Sequence, residues 1–72
     1  MTGRIVQVSG SVINVEFDEG QMPKINEALT VELGDRTLVM EVAQHIGNNT
    51  VKCVMLSGSE GMSSGMEVTA TG

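Results

Sequence analysis

Leu38-Val39-Met40-Glu41-Val42-Ala43-Gln44-His45-Ile46-Gly47 is too long and too apolar to be a surface loop. Turn-forming residues stand at both ends, with Gly34-Asp35 before it and Asn48-Asn49 after it. An apolar run bounded in this way indicates a strand. We expect a central strand that pairs with the strand before it and with the strand after it.

The first of these turns predicts how the central strand pairs with its predecessor. Gly34-Asp35 forms a two-residue connection between Leu33 and Arg36, and a leading glycine suits the primed hairpin turns. The register set by this turn gathers apolar side chains on one face of both strands. The expected facing pairs are Val31 with Leu38, Leu29 with Met40 and Glu27 with Val42, and, on the more polar face, Thr30 with Val39 and Glu32 with Thr37.

The second turn, Asn48-Asn49, predicts a hairpin of the same kind. A straight ladder from this turn gives the facing pairs Ile46 with Val51, Gln44 with Cys53 and Val42 with Met55. The central strand is therefore expected to be paired along both edges.

Three further segments have strand character. Arg4–Val8 is short and β-branched, Val12–Phe17 alternates apolar with polar residues, and Met66–Thr71 alternates in the same way. The stretch from 57 to 65 is predicted to be a flexible loop because it is rich in Ser and Gly. Six short strands without a helical period predict an all-β fold, and closing the sheet removes exposed edges. We therefore predict one domain over residues 1–72, a small six-stranded antiparallel closed barrel.

The longest connection, Asp18–Glu27, is polar apart from Met22 and Ile25 and contains Pro23. Two interpretations remain open for its apolar residues. They either fold over an open end of the barrel or belong to a contact surface for another subunit. Met22 and Ile25, together with Met62, are the candidate interface residues.

Composition limits the partners of the chain. Nine acidic against four basic residues give a net charge of -5, and the basic residues are scattered. Nucleic acid and anionic membrane surfaces both require clustered cations, so both are poor partners. No apolar run approaches the roughly 20 residues of a membrane span, so we expect no direct membrane insertion. A domain of this size has a marginal core, which favours association with other domains.

The sequence offers little for catalysis or cofactor binding. The glycines at 58, 61 and 65 lack the lysine of a phosphate-binding loop, so a flexible turn is the better interpretation. Cys53 lies in an apolar run and is expected to be buried. His45 is expected to pack or hydrogen-bond near a strand end, on the face opposite Cys53. We expect no catalytic residues, no metal site and no cofactor.

Taken end to end, the chain resembles the N-terminal β-barrel domain of the rotary ATP synthase catalytic β subunit. The resemblance covers essentially the whole chain and is most specific in Glu41–Gly47. It is carried by the blocks Gly3–Gly10, Val12–Phe17, Met22–Leu29, Leu38–Gly47, Val51–Val54, Glu60–Met62, Gly65-Met66 and Thr71-Gly72.

The resemblance implies a six-stranded barrel that joins alternating α and β subunits into a hexameric crown. It also implies that the nucleotide-binding domain, with its ATP-binding loop and catalytic residues, begins after this chain. The chain alone is then not an enzyme, although its parent complex couples proton transport to ATP synthesis and hydrolysis. Its partners would be other α/β-type barrels or a second copy. The implied location is intracellular, in a complex peripheral on the inner face of an energy-coupling membrane.

The chain departs from the family pattern at a few positions. Ser11 stands where proline is usual, Ser64 replaces an arginine, and Asn14, Ser57 and Ala70 stand where aspartate is usual. These changes leave the apolar alternation intact but put charged contacts to neighbouring subunits in doubt. They motivate the expectation of an excised or redesigned barrel. The alternative function is a stand-alone barrel that self-associates or binds a small ligand beneath the Asp18–Glu27 connection.

Overall fold

Six antiparallel strands close into a barrel in the computed structural model, which describes residues 1–56, 58 and 61–71. The order around the barrel is β1-β2-β5-β4-β3-β6. This confirms the predicted all-β closed barrel. The strands are β1 (Thr2–Ser9), β2 (Val12–Phe17), β3 (Ala28–Leu33), β4 (Arg36–Gly47), β5 (Thr50–Met55) and β6 (Glu67–Ala70).

The short strand β6 closes the barrel. Thr69 pairs with Thr2 on β1 and with Thr30 on β3, so one residue joins the two strands that would otherwise be sheet edges. A closed sheet has no row of unpaired backbone groups along an edge. Contacts with other proteins are therefore left to the outer face and the two ends.

Alternating side chains fill the interior of the barrel. In β2 every second residue is buried, as the period-two pattern predicts. Gly3 faces Phe17 across β1 and β2, and a Cβ atom on Gly3 would lie 2.6 Å from the carbonyl oxygen of Glu16 and 2.9 Å from the Phe17 ring. Only glycine leaves room for the aromatic ring here. The buried hydrophobic residues are Ile5, Ile13, Val15, Phe17, Leu29, Val31, Leu38, Met40, Val42, Val51, Cys53, Met55, Met62 and Val68.

The predicted register of β3 against β4 is confirmed. Val31 faces Leu38 and Leu29 faces Met40, while Thr30 with Val39 and Glu32 with Thr37 form the outer face. Just before β3, the Val42 N–H donates to the Glu27 carbonyl at 3.0 Å, which continues the same pairing. Gly34 has a φ of 61°, as a primed turn with a leading glycine requires.

The predicted register of β4 against β5 is wrong beyond the turn itself. Asn48 and Asn49 both have positive φ, 54° and 59°, and form the expected tight turn. Two bulges then place one extra residue each in β4, at Ile46 and at Ala43. The observed pairs are Gly47 with Thr50, His45 with Val51, Gln44 with Lys52, Val42 with Cys53, Glu41 with Val54 and Met40 with Met55.

The reason for the bulges is the polarity of Gln44. A straight ladder would turn this amide toward the interior opposite Cys53, where an unpaired polar group is costly. The bulges place Val42 opposite Cys53 instead, and both are fully buried. They also bring His45 opposite Val51, onto the face that Cys53 shares, so the predicted opposite-face placement of His45 and Cys53 is wrong.

The remaining strand bounds differ slightly from prediction. β1 begins at Thr2 rather than Arg4, and β6 runs over Glu67–Ala70 within the predicted Met66–Thr71. The predicted flexible loop includes Ser57, Ser59 and Glu60, which lie outside the described residues, as does Gly72.

Candidate interface surface

One end of the barrel is covered by the connection between β2 and β3. Pro23 is fully buried there, and Met22 is partly buried against the core. His45 Nε2 lies 2.7 Å from the Pro23 carbonyl oxygen; because a carbonyl only accepts, the ring donates. The prediction that His45 hydrogen-bonds near a strand end is confirmed.

Backbone hydrogen bonds hold the rest of this connection against β4. The Asn26 N–H donates to the Val42 carbonyl at 2.8 Å, and Asn26 has a φ of 75°. The left-handed conformation, which asparagine tolerates better than most residues, turns the chain into β3. Ile25, one residue earlier, is 54 % exposed. The connection therefore closes the end with Met22 and Pro23 and leaves Ile25 on the surface.

The opposite end is filled from the segment between β5 and β6. Met62 is buried and belongs to the core, and a Cβ atom on Gly61 would lie 3.3 Å from the Leu33 side chain. The Ser64 hydroxyl donates to the Val6 carbonyl at 3.1 Å, and the Gly65 N–H donates to the Ile5 carbonyl at 2.7 Å. Of the three candidate interface residues, Ile25 thus lies on the surface, Met22 is half-buried and Met62 fills this end.

Most of the outer face is polar. Arg4 and Glu16 face each other on β1 and β2 and form an ion pair at 2.9 Å. On the other side of Arg4 lies Glu67 of β6. A polar groove of about 260 Å³ opens beside this pair and is lined by Thr2, Gly3, Arg4, Asp18, Gly65 and Glu67. One cationic and two carboxylate side chains line the groove. Because charges of both signs are present, the groove favours neither an anionic nor a cationic ligand.

A different surface lies on the outside of β2, β5 and β4. Here Val12 faces Val54 across β2 and β5, and the Leu56 N–H donates to the Val39 carbonyl at 3.1 Å. Val54 and Leu56 are 39 % and 62 % exposed, and Val12 and Val39 are partly exposed. We call Val12, Val39, Val54 and Leu56 the outer apolar patch.

One carboxylate interrupts the outer apolar patch. Glu41 faces Val54 across β4 and β5, and its side chain is half-buried. Glu41 forms no ion pair with any other residue that the structure describes. Lys52 lies on the same outer face one row away, and it too forms no ion pair with another described residue.

The buried cysteine is unreactive as a nucleophile. Cys53 is fully buried, as predicted, and burial raises the pKa of its thiol to about 12. A thiol with so high a pKa has almost no thiolate at neutral pH and is a poor nucleophile. Within residues 1–56, 58 and 61–71, no three His, Cys, Asp or Glu side chains gather as they would around a metal ion.

The residues that depart from the family pattern differ in the hydrogen bonds that they make within the barrel. Ser64 forms the hydroxyl hydrogen bonds to β1, and the Asn14 amide donates to Gln7 at 3.1 Å. The amide oxygen of Asn14 is buried and has no hydrogen-bond partner among the described residues. Ala70 is half-buried and its N–H donates to the Met1 carbonyl at 2.8 Å. Ser57 lies outside the described residues.

Comparison with known families agrees with the geometry. Residues 5–72 match the model of the ATP synthase alpha/beta family, beta-barrel domain. The chain belongs to this family. In ATP synthases the N-terminal barrel is a non-catalytic domain, and the family works in a membrane-associated complex built from α/β-type subunits. No helix in the described part of this family member is long and apolar enough to cross a bilayer.

Proposed function

We propose that the chain is the assembly domain of a β-type ATP synthase subunit and joins neighbouring α/β-type subunits through their barrels. The observation that carries the proposal is the family match over residues 5–72 on a closed barrel. The β-type assignment is supported by the Glu41–Gly47 run described above.

The interior of the barrel supports a scaffolding role rather than binding of a small ligand. Met22 and Pro23 occupy one end and Met62 the other, while the space between is filled by the hydrophobic core. A packed barrel of this kind presents only its outside to partners. Ile25 is proposed as a direct contact, with Met22 and Met62 supporting the contact surfaces from beneath.

The nucleotide-binding and catalytic machinery of the parent enzyme is proposed to lie outside this chain. The domain then contributes to ATP synthesis, and to the coupled proton transport, only by holding catalytic subunits in the ring. The complex would be peripheral on the inner face of an energy-coupling membrane. Departures such as Ser64 and Asn14 are compatible with an excised or redesigned version of the barrel.

Binding to an isolated subunit tests this function. The chain is mixed with an intact α-type subunit of a bacterial ATP synthase, and complex formation is followed by sedimentation velocity. We expect a heterodimer that does not form when the α-type subunit has first been saturated with intact β-type subunit. Failure of the chain to bind at tens of micromolar α-type subunit, or ATP hydrolysis by the chain alone, would contradict the proposal.

A further inference from the structure

The outer apolar patch departs from the polar pattern of the surface around it. Outer positions of β1, β3 and β6 carry Arg4, Thr30 and Glu67. Within the patch, by contrast, Val54 and Leu56 are 39 % and 62 % exposed. Adjoining exposed aliphatic side chains on a small domain are typical of a surface that another protein molecule covers.

Two opposite charges adjoin this patch. Glu41 faces Val54 across β4 and β5, and Lys52 lies two residues before Val54 on the same outer face. Both charged side chains are half-buried, and neither forms an ion pair with another described residue. Covering the patch removes further water from both charges, and an uncompensated charge in such a place is strongly unfavourable. The covering surface therefore has to present a cation to Glu41 and an anion to Lys52.

A second copy of the chain presents both of these charges with the required spacing. In a two-fold contact, a pair between two different positions forms twice, once in each direction. Neighbours across an antiparallel ladder are about 5 Å apart and second neighbours along a strand about 7 Å apart, so Val54 lies at similar distances from Glu41 and Lys52. A two-fold axis that exchanges Glu41 with Lys52 therefore passes close to Val54, and the two Val54 side chains pack on each other.

We propose that two copies of this chain associate face to face through the outer apolar patch, with Glu41 of each copy paired to Lys52 of the other. The contact joins identical chains, so it is separate from the proposed assembly function. Each copy carries a net charge of -5, but at physiological salt the Debye length is about 8 Å, which screens this repulsion more than it screens pairs inside the contact. Because only four aliphatic side chains form the patch, the dimer should be weak, with a Kd on the order of hundreds of micromolar.

Charge reversal tests the reciprocal pairing. Association is followed by ¹⁵N relaxation, which reports the tumbling time of the labelled chain, from tens of micromolar to about 2 mM. Glu41→Lys and Lys52→Glu each place like charges against each other in the proposed contact. When the two variants are mixed, every introduced charge meets an opposite one. Glu19→Lys is the matched control, because it changes the net charge as Glu41→Lys does but lies in the β2–β3 connection, at the far end of β2 from Val12.

We expect the tumbling time of the parent chain to rise with concentration, with amide shifts that move at Val39, Val54 and Leu56. Each charge-reversal variant alone should dimerise at least about tenfold more weakly, although Glu41→Lys lowers the net negative charge that two copies bring together. An equimolar mixture of the two variants should regain an affinity within about threefold of the parent chain. Glu19→Lys should dimerise at least as tightly as the parent.

Several results would overturn the inference. One is a parent chain that tumbles as a monomer at the highest concentration, and another is association that maps to amides elsewhere. A mixture of the two variants that stays monomeric while the parent chain dimerises would exclude the reciprocal pairing. Tighter dimerisation of Glu41→Lys than of the parent would show that net charge alone governs association. No α-type subunit is present in these samples, so none of these results bears on the proposed assembly function.

Discussion

Replacing Gly3 by alanine tests whether the packing of Phe17 requires a glycine on the facing strand. The added Cβ would lie 2.6 Å from the Glu16 carbonyl oxygen and 2.9 Å from two atoms of the Phe17 ring. A relaxed carbon–oxygen contact is about 3.3 Å or longer, so β1 and β2 must separate by roughly 0.7 Å at this point. The ring is fixed by the core around it, so the backbone has to move.

The expected change in the free energy of unfolding is the sum of two opposing contributions. Overpacking of this kind costs about 3 kcal/mol at the upper end of its usual range, which applies because backbone atoms are involved. Alanine recovers up to about 1 kcal/mol because it is less flexible than glycine in the unfolded chain. The free energy of unfolding of Gly3→Ala should therefore fall by about 2 kcal/mol, out of the roughly 4–11 kcal/mol typical of a domain of this length.

Thermal unfolding followed by far-ultraviolet circular dichroism measures the effect, since the chain has no Trp or Tyr for fluorescence. A loss of about 2 kcal/mol lowers Tm by roughly 8–16 °C in a domain of this size. Gly58→Ala is the matched control, because a Cβ on Gly58 meets no atom of the other described residues within 4 Å. If Gly3→Ala melted within about 2 °C of the parent chain, the steric argument for this glycine would be refuted.

Three other substitutions test the His45 hydrogen bond, the burial of Cys53 and the Arg4–Glu16 ion pair. His45→Ala removes the 2.7 Å hydrogen bond to Pro23 and should cost about 1 kcal/mol, with faster hydrogen exchange at the amides of the β2–β3 connection measured by NMR. Because burial raises the Cys53 pKa from 9.0 to about 12, the thiol's contribution to stability is intact below pH 9 and is lost as pH rises toward 12. The free energy of unfolding in urea should fall by up to about 1.4 kcal/mol per pH unit over that window, and Cys53→Val should remove this component of the slope. Arg4→Met breaks the ion pair with Glu16, whose side chains are 55 % and 37 % exposed, and should change the urea midpoint only slightly; a large loss would contradict its assignment as a solvated surface pair.

Much of the barrel is predictable from the sequence because local signals agree there. Between Leu29 and Met40, apolar alternation and the Gly34-Asp35 turn specify the same register, and the structure has it. On the C-terminal half of β4 these signals conflict. The turn at Asn48-Asn49 favours a straight ladder, while the amide of Gln44 disfavours the face that this ladder gives it. A period-two pattern has no place for an inserted residue, so it does not predict the bulges.

The outer apolar patch could not be predicted from the sequence for a related reason. Val39 pairs with Thr30 and so falls on the face that the sequence predicts to be polar, while the apolar residues around Cys53 do not show which face Val54 takes. Val39 and Val54 lie near each other on the outer face only because two bulges shift the pairing of β4 with β5. The available signal was one outward valine on each of three neighbouring strands: Val12 on β2, Val54 on β5 and Val39 on β4. Its meaning depends on the correct register.

The chain forms a closed barrel, so partners meet only its outer face and its filled ends. Closure depends on Thr69, which pairs with Thr2 on one side and Thr30 on the other. The direct test is a nuclear Overhauser spectrum of the isotopically labelled chain. We expect backbone contacts from Thr69 to both Thr2 and Thr30 in the same sample. Contacts to only one of them would show an open sheet and contradict closure of the barrel.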